Sequence, residues 1–140
     1  MTSTNNDIQS KQYFDFIATG VAYVNRVKQI LPQAGGRAFA PYWTANLAVL
    51  VSEGNDVQYR YIDCTVPAEE AAKLISRFAD EANDPKCKVL VGFRISNLRA
   101  ETFTRNNGKS DSLLKGRLIK ISWLKVNNRK VYTDKPVTAQ

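Results

Sequence analysis

Histidine does not occur anywhere in the 140 residues, which removes the commonest general base and metal ligand. Cysteine is scarce as well. Cys64 and Cys87 lie 23 positions apart, a spacing that fits no zinc site, so they read as two small buried hydrophobes. No apolar run approaches the ~20 residues of a membrane-spanning helix. The opening "MTSTNNDIQS" carries no basic, apolar leader pattern, so a cytoplasmic protein with reduced cysteines and no membrane association is expected. There is no P-loop, dinucleotide fingerprint, serine elbow or clustered-cysteine motif. Asp15, Asp63 and Glu101 are the carboxylates that could hold a divalent metal, yet no spacing brings them together. These absences argue against an enzyme and give no reason to expect catalytic residues, a cofactor or a metal.

What is present is an uneven charge. Residues 1–85 carry seven basic and ten acidic side chains, a net −3, whereas residues 86–140 carry thirteen and three, a net +10. A basic half on a small domain suits a polyanionic partner, because each phosphate neutralised releases counterions. With 44% hydrophobic and 24% charged residues, the chain has the composition of an ordinary globular protein and the length of one domain.

The pattern of apolar residues sets out the elements. "YFDFIATGVAYVNRVKQIL" (13–31) reads as a long first strand, with Gly20 at a bend or a close backbone approach. "PQAGGRA" (32–38) is a loop, and "FAPYWTANLAVLVS" (39–52) a second strand. In that strand Trp43, Ala45, Leu47, Val49 and Val51 form an apolar row, so Trp43 faces the core and Tyr42, Thr44 and Asn46 face away. "EGND" (53–56) turns the chain into a third strand, "VQYRYIDC" (57–64). The helix is "PAEEAAKLISRFADEAND" (67–84), with Pro67, Glu69 and Glu70 suited to its first turn and Ala71, Leu74, Ile75, Phe78 and Ala82 forming one stripe. "KCKVLVGFRIS" (86–96) is a fourth strand, 97–116 a polar, basic loop, and "RLIKISWLKVNNRKVYT" (117–133) a fifth strand for which Asn127-Asn128 offers a terminal hairpin. The domain is expected over 13–133, with flexible segments at 1–12 and 134–140.

The order β-β-β-α-β-β, with its helix between strands three and four, matches a mainly β, five-stranded OB-fold barrel. A helix packed on a β-meander is the alternative. The barrel is favoured because the strands are long and the helix sits where it would plug the barrel end. In such a barrel the outer faces of strands two and three form a binding platform, closed by the loops between strands one and two and between four and five. Ile62 and Cys64 make the more apolar pair of strand three, so Tyr59 and Tyr61 are expected outward, and Arg60 inward at a rim where its stem can reach water. Tyr42, Tyr59, Tyr61 and Phe103 then offer rings for base stacking. Arg37, Arg94, Arg99, Arg105, Lys109 and Lys115 supply phosphate contacts. Trp123 shares a face with Ile119 and Ile121, and fits either the core or the platform.

Several stretches resemble bacterial single-stranded DNA-binding proteins. They are "FIATGVAYVNRV" (16–27), "TANLAVLVS" (44–52), "QYRYIDC" (58–64) and "KVLVGFRIS" (88–96), and the likeness runs from about 13 to 126. It implies a base-stacking role for Tyr59, which stands where that family has a tryptophan. Tyr61 falls near a phosphate-facing arginine of the family, and Arg94 matches an arginine. Closer still, "YFDFIATGVAYVNRV", "YWTANLAVLVS" and "YIDCTVP" resemble a replication-associated family of unknown function carried on bacterial integrative and conjugative elements. Single-stranded DNA as partner, and a homo-dimer or homo-tetramer as assembly, follow as expectations. RNA binding and a protein–protein adaptor role are the alternatives. The chain ends in "DKPVTAQ", unlike the acidic, aromatic recruiting tip of those proteins, so the resemblance implies an element-specific role.

Overall fold

The computed structural model describes residues 16–134. Asp15, the 1–12 segment and all but Asp134 of the expected 134–140 tail lie outside the described residues. In chain order come β1 (Ile17–Ile30), β2 (Tyr42–Glu53), β3 (Asp56–Val66), α1 (Glu69–Arg77), α2 (Ala79–Asn83), β4 (Val89–Thr104), β5 (Ser110–Val126) and β6 (Arg129–Thr133). The strands form one sheet in the order β3-β2-β1-β4-β5-β6. Parallel pairing of Ile62–Thr65 with Leu114–Arg117 joins β3 to β5 and closes the first five strands into a barrel with OB-fold connectivity. β6 pairs with the C-terminal part of β5, from Trp123 to Val126, and stands outside the closure.

Alternation along the strands fills the interior. Ala22 and Val24 of β1, Ala45 and Leu47 of β2, and Ile62, Cys64 and Val66 of β3 are all buried. Opposite them lie Val91, Phe93 and Ile95 of β4 with Leu118, Ile121 and Leu124 of β5. Trp43 packs against this core, as its row requires. Gly20 is a close approach: a Cβ there would stand 3.1 Å from the ring of Phe93, its cross-strand partner.

The single expected helix is two. It begins at Glu69 rather than Pro67 and breaks at Phe78, whose φ of −108° and ψ of 20° leave the helical region. Ala71, Ile75 and Ala82 still bury the stripe that plugs the barrel. No glycine or proline marks the break. Its consequence is visible at the end of α2, where Asn83 reaches β1: its Oδ1 accepts from the Val27 N–H at 2.8 Å and its Nδ2 donates to the Val27 carbonyl at 2.9 Å.

The segment 97–116 is not a loop. β4 and β5 continue as an antiparallel ladder out to Thr104 and Ser110, so the segment is a hairpin arm with a short tip at 105–109. Thr102, Phe103 and Thr104 on its β4 side suit a strand, and Gly108, at φ 84°, supplies the tip conformation that other residues resist. A bulge between Ser96 and Arg99, with Asn97 at φ 55°, separates arm from barrel.

Trp123 is also settled by bulges. Phe93 pairs with Ile121 but Gly92 pairs with Trp123, so Ser122 is an extra residue and the alternation of β5 reverses there. Ile119 is skipped in the same way between Leu118 and Lys120. Ile121 and Leu124 are buried, while Trp123 lies on the outer face.

Candidate functional site

Pairing across β1, β2 and β3 places outward residues in rows. Tyr23 is opposite Ala48 and Ala48 opposite Tyr61. One row along, Leu50 is opposite Tyr59. On the other side, Asn25 is opposite Asn46 and Asn46 opposite Asp63. Ala48, only 5% exposed, is thus a low floor between two rings. Tyr59 and Tyr61 are 43% and 59% exposed, and Tyr23 approaches Tyr59 with ring centroids 6.4 Å apart and planes tilted by 46°. Ile62 and Cys64 are buried, so the alternation of β3 turns Tyr59 and Tyr61 outward. Arg60 is exposed at the rim, its Nη1 donating to Gln58 Oε1 and the Tyr59 carbonyl at 3.2 Å each.

Behind the tyrosines, the segment after α2 makes a second wall. The groove between them, about 920 Å³, is lined by the three tyrosines, Asn46, Asp63, Arg26, residues 82–85 and residues 87–89, at the upper end of volumes usual for ligand sites. Asn127, in the β5–β6 turn, pins that wall: Lys88 N–H donates to Asn127 Oδ1 at 3.0 Å, and Asn127 N–H donates to the Lys88 carbonyl at 2.9 Å. The Lys88 ammonium lies 5.6 Å from the centroid of the Tyr23 ring. Asn46 Nδ2 donates to Asp63 Oδ1 at 2.7 Å in the groove floor. Cys87 sits half-buried in the wall, its thiol 3.6 Å from Asp84 Oδ2. Cys64 is sealed beneath, and burial, with Asp63's charge second, pushes its thiol up to about 12.

Arg26 was not legible in the sequence. It occupies a bulge between Asn25 and Lys28 with φ at 51°, a conformation that costs an ordinary residue roughly 1–2 kcal/mol. The Asn83 amide clamps the Val27 backbone beside it. That clamp holds the bulge and sets Arg26 on the lining of the groove. Tyr23 did carry a signal, since it alternates with the buried Ala22 and Val24. Lys88 and Asn83 carried none.

The expected site residues divide into groups. Tyr59 and Tyr61 line the main groove. Tyr42, 41% exposed and tilted against Phe39 at 5.9 Å, shares a smaller hollow with Thr44, Asp63, Thr65, Arg99 and Lys115 further along the same β2–β3 face. Asp63 belongs to both hollows, so they are continuous. Phe103, Arg105 and Lys109 stand out on the arm, and Arg37 on the β1–β2 connection, lining neither. Arg94 is on the outer face of β4, opposite Lys120.

The arm's charge is largely spent within the arm. Glu101 lies 3.1 Å from Arg99 Nε and 3.2 Å from Lys115 Nζ; the Lys115 contact, then Arg99, holds its carboxyl below the ordinary carboxylate range. Arg105 Nε donates to Asp111 Oδ2 at 3.0 Å, and Arg105 Cζ lies 5.4 Å from the centroid of the Phe103 ring. That guanidinium first, and the Ser112 N–H second, lowers Asp111. Among the described residues no three His, Cys, Asp or Glu side chains gather as a metal site, and no helix is long and apolar enough to cross a membrane.

The barrel and its tyrosine-lined face define an OB-like protein. A family model described as "Protein of unknown function (DUF3577)" matches residues 7–140, and the chain belongs to that family. No curated protein matches the chain.

Proposed function

We propose that this protein binds single-stranded DNA with low sequence preference and without catalysis. The observation that supports it is the triplet Tyr23, Tyr59 and Tyr61 around the Ala48 floor on the outer β1–β3 face of an OB-like barrel. Exposed rings on such a face accept any base through its π-surface, at about 1–3 kcal/mol per base. Arg26 and Lys88 at the groove, with Arg99 and Lys115 further along, provide phosphate contacts. The resemblance to single-stranded DNA-binding proteins and to element-borne replication proteins points the same way. It suits a cytoplasmic accessory role in replication or transfer of a mobile element. The edge of β6, which pairs with no further strand among the described residues, gives such a protein a place to associate as a dimer or tetramer.

Titration with oligo-dT tests this reading. Tyrosine emission falls on binding, the affinity drops steeply with added salt, and DNA slows alkylation of Cys87 in the groove wall. An affinity indifferent to salt, or a Tyr59→Ala variant that changes assembly mass and leaves oligonucleotide affinity intact, overturns it; the latter result assigns the tyrosines to a protein interface. Parallel titrations with RNA and duplex DNA fix which polymer is preferred, since only contacts to the 2′-hydroxyl separate RNA from DNA on a stacking platform.

A further inference from the structure

The row that carries Tyr61, Ala48 and Tyr23 does not end at β1. Tyr23 is opposite Leu90, Leu90 opposite Lys125, and Lys125 opposite Lys130. The row of outward residues therefore continues, past the Lys88 wall of the groove, onto the outer face of β4, β5 and β6. That face holds Arg94 opposite Lys120 and Lys125 opposite Lys130, two like-charged cross-strand pairs of the kind that destabilise a sheet. Arg117 is exposed one row further on, opposite Ser96. Lys120 reaches Asp134 at 2.7 Å; no carboxylate of the described residues forms an ion pair with Arg94, Arg117, Lys125 or Lys130.

At the centre of these cations lies Trp123. Its indole rests on Gly92, where a Cβ would come within 2.7 Å of Cε2, so the missing side chain is what lets the ring lie against the sheet. The Lys125 ammonium stands 5.5 Å from the ring centroid. An indole beside cations with no ion-pair partner, on the face reached by the row that carries Tyr23, has the same two ingredients as the groove itself.

We propose that this face is a second contact track for the strand bound in the tyrosine groove, with Trp123 stacking a base and Arg94, Lys125 and Lys130 taking phosphates. The proposal rests on the single-stranded DNA reading above. From β3 to β6 the sheet spans five inter-strand steps of about 4.8 Å, roughly 24 Å along its surface, so a strand long enough to leave the groove reaches Trp123.

Oligonucleotide length separates the two surfaces. With oligo-dT of about 4 nucleotides, too short to cross from the tyrosines to Trp123, and of about 30 nucleotides, Lys125→Gln/Lys130→Gln should bind the short one as the wild type does and the long one about tenfold more weakly. Its salt dependence for the long oligomer should be shallower by about 0.7 for each cation removed. In Trp43→Phe, which leaves Trp123 as the sole tryptophan, the long oligomer should quench the remaining tryptophan emission and the short one should not. Both variants are checked for native circular dichroism. Because a like-charged pair is removed, Lys130→Gln alone should melt at the wild-type temperature or above it. The track is overturned if the double variant keeps the wild-type salt dependence for the long oligomer, or loses affinity equally for both lengths. Unchanged Trp123 emission with the long oligomer bound overturns it too. Each of these results leaves the groove reading standing, whereas failure of the wild type to bind either length removes both.

Discussion

In the β4–β5 arm, Glu101 lies between Arg99 and Lys115, and Asp111 holds Arg105. In the tyrosine groove, Arg26 and Lys88 form no ion pair with any carboxylate of the described residues, and Asp63 is bonded to a neutral amide, Asn46. The arm has more cations and the groove has more cations at liberty. Counterion release depends on phosphates neutralised rather than on lysines counted, so a tally of charge along the chain overstates the arm and understates the groove. The arm pairs are exposed, and such pairs hold their partners weakly. They weaken the arm's pull on a polyanion without abolishing it.

The comparison breaks most visibly at the rings. Tyr59→Ala/Tyr61→Ala removes two stacking surfaces worth about 1–3 kcal/mol each, so affinity for oligo-dT should fall roughly a hundredfold or more. Phe103→Ala on the arm should change it several-fold at most. Equal losses from groove and arm in a fluorescence or anisotropy titration would put the strand on both surfaces alike. Neither change should alter the melting temperature much, because all three rings are exposed.

Arg26 sharpens the contrast next. Arg26→Gly deletes a groove cation while relieving the left-handed backbone at φ 51°. Stability should therefore stay level or rise by up to about 1 kcal/mol. Affinity should drop roughly tenfold, as for loss of one charge-assisted hydrogen bond, with a shallower salt dependence. Few substitutions are expected to improve a fold and impair its function together. A variant that loses stability and keeps affinity would make the bulge purely structural. Asn83→Ala should act in the same direction on binding but lower stability, since it removes both bonds to Val27.

How far the sequence reached can be judged from these same residues. The barrel was legible because the strands are long and the helix falls between strands three and four, and the outward tyrosines because Leu47, Ile62 and Cys64 fix the faces of their strands through a period of two. What was not legible lay wherever the period slips. Bulges at Arg26, at Asn97 and at two places in β5 each shift the alternation by one residue, and no residue type there announces it. Trp123 was therefore ambiguous and Arg26 was overlooked. The arm read as a loop because its alternation is polar on both sides, so no core face marks it as a strand. Its ion pairs depend on cross-strand register, which a linear reading does not contain.

Removing an arm acid should move the arm toward the groove. Glu101→Gln deprives Arg99 and Lys115 of their shared partner, so DNA affinity should rise about two- to threefold and the salt dependence should steepen. Stability should change little, since the pairs are exposed. A fall in affinity would mean that Glu101 orders the two cations for DNA rather than competing with it.

Acid does the same thing without mutation, and here the sign follows from the shifts. Glu101 and Asp111 are held below their ordinary values of 4.5 and 3.8 by Lys115 and Arg105 respectively. A carboxyl whose folded value is depressed adds stability above its unfolded value and loses it as pH falls through the depressed one. The arm's pairs should thus be intact at neutral pH and release only as pH falls below the ordinary values of the two carboxyls. A carbon-detected NMR titration should place both midpoints below the ordinary values, with the backbone signals of Arg99 to Ser112 shifting in step. Oligo-dT, whose base gains no proton in this range, should bind the arm more strongly once Arg99, Arg105 and Lys115 are released. Midpoints at the ordinary values would show that the pairs do not persist in solution. In that case the arm's cations are as free as Arg26 and Lys88, and the contrast between arm and groove rests on the tyrosines alone.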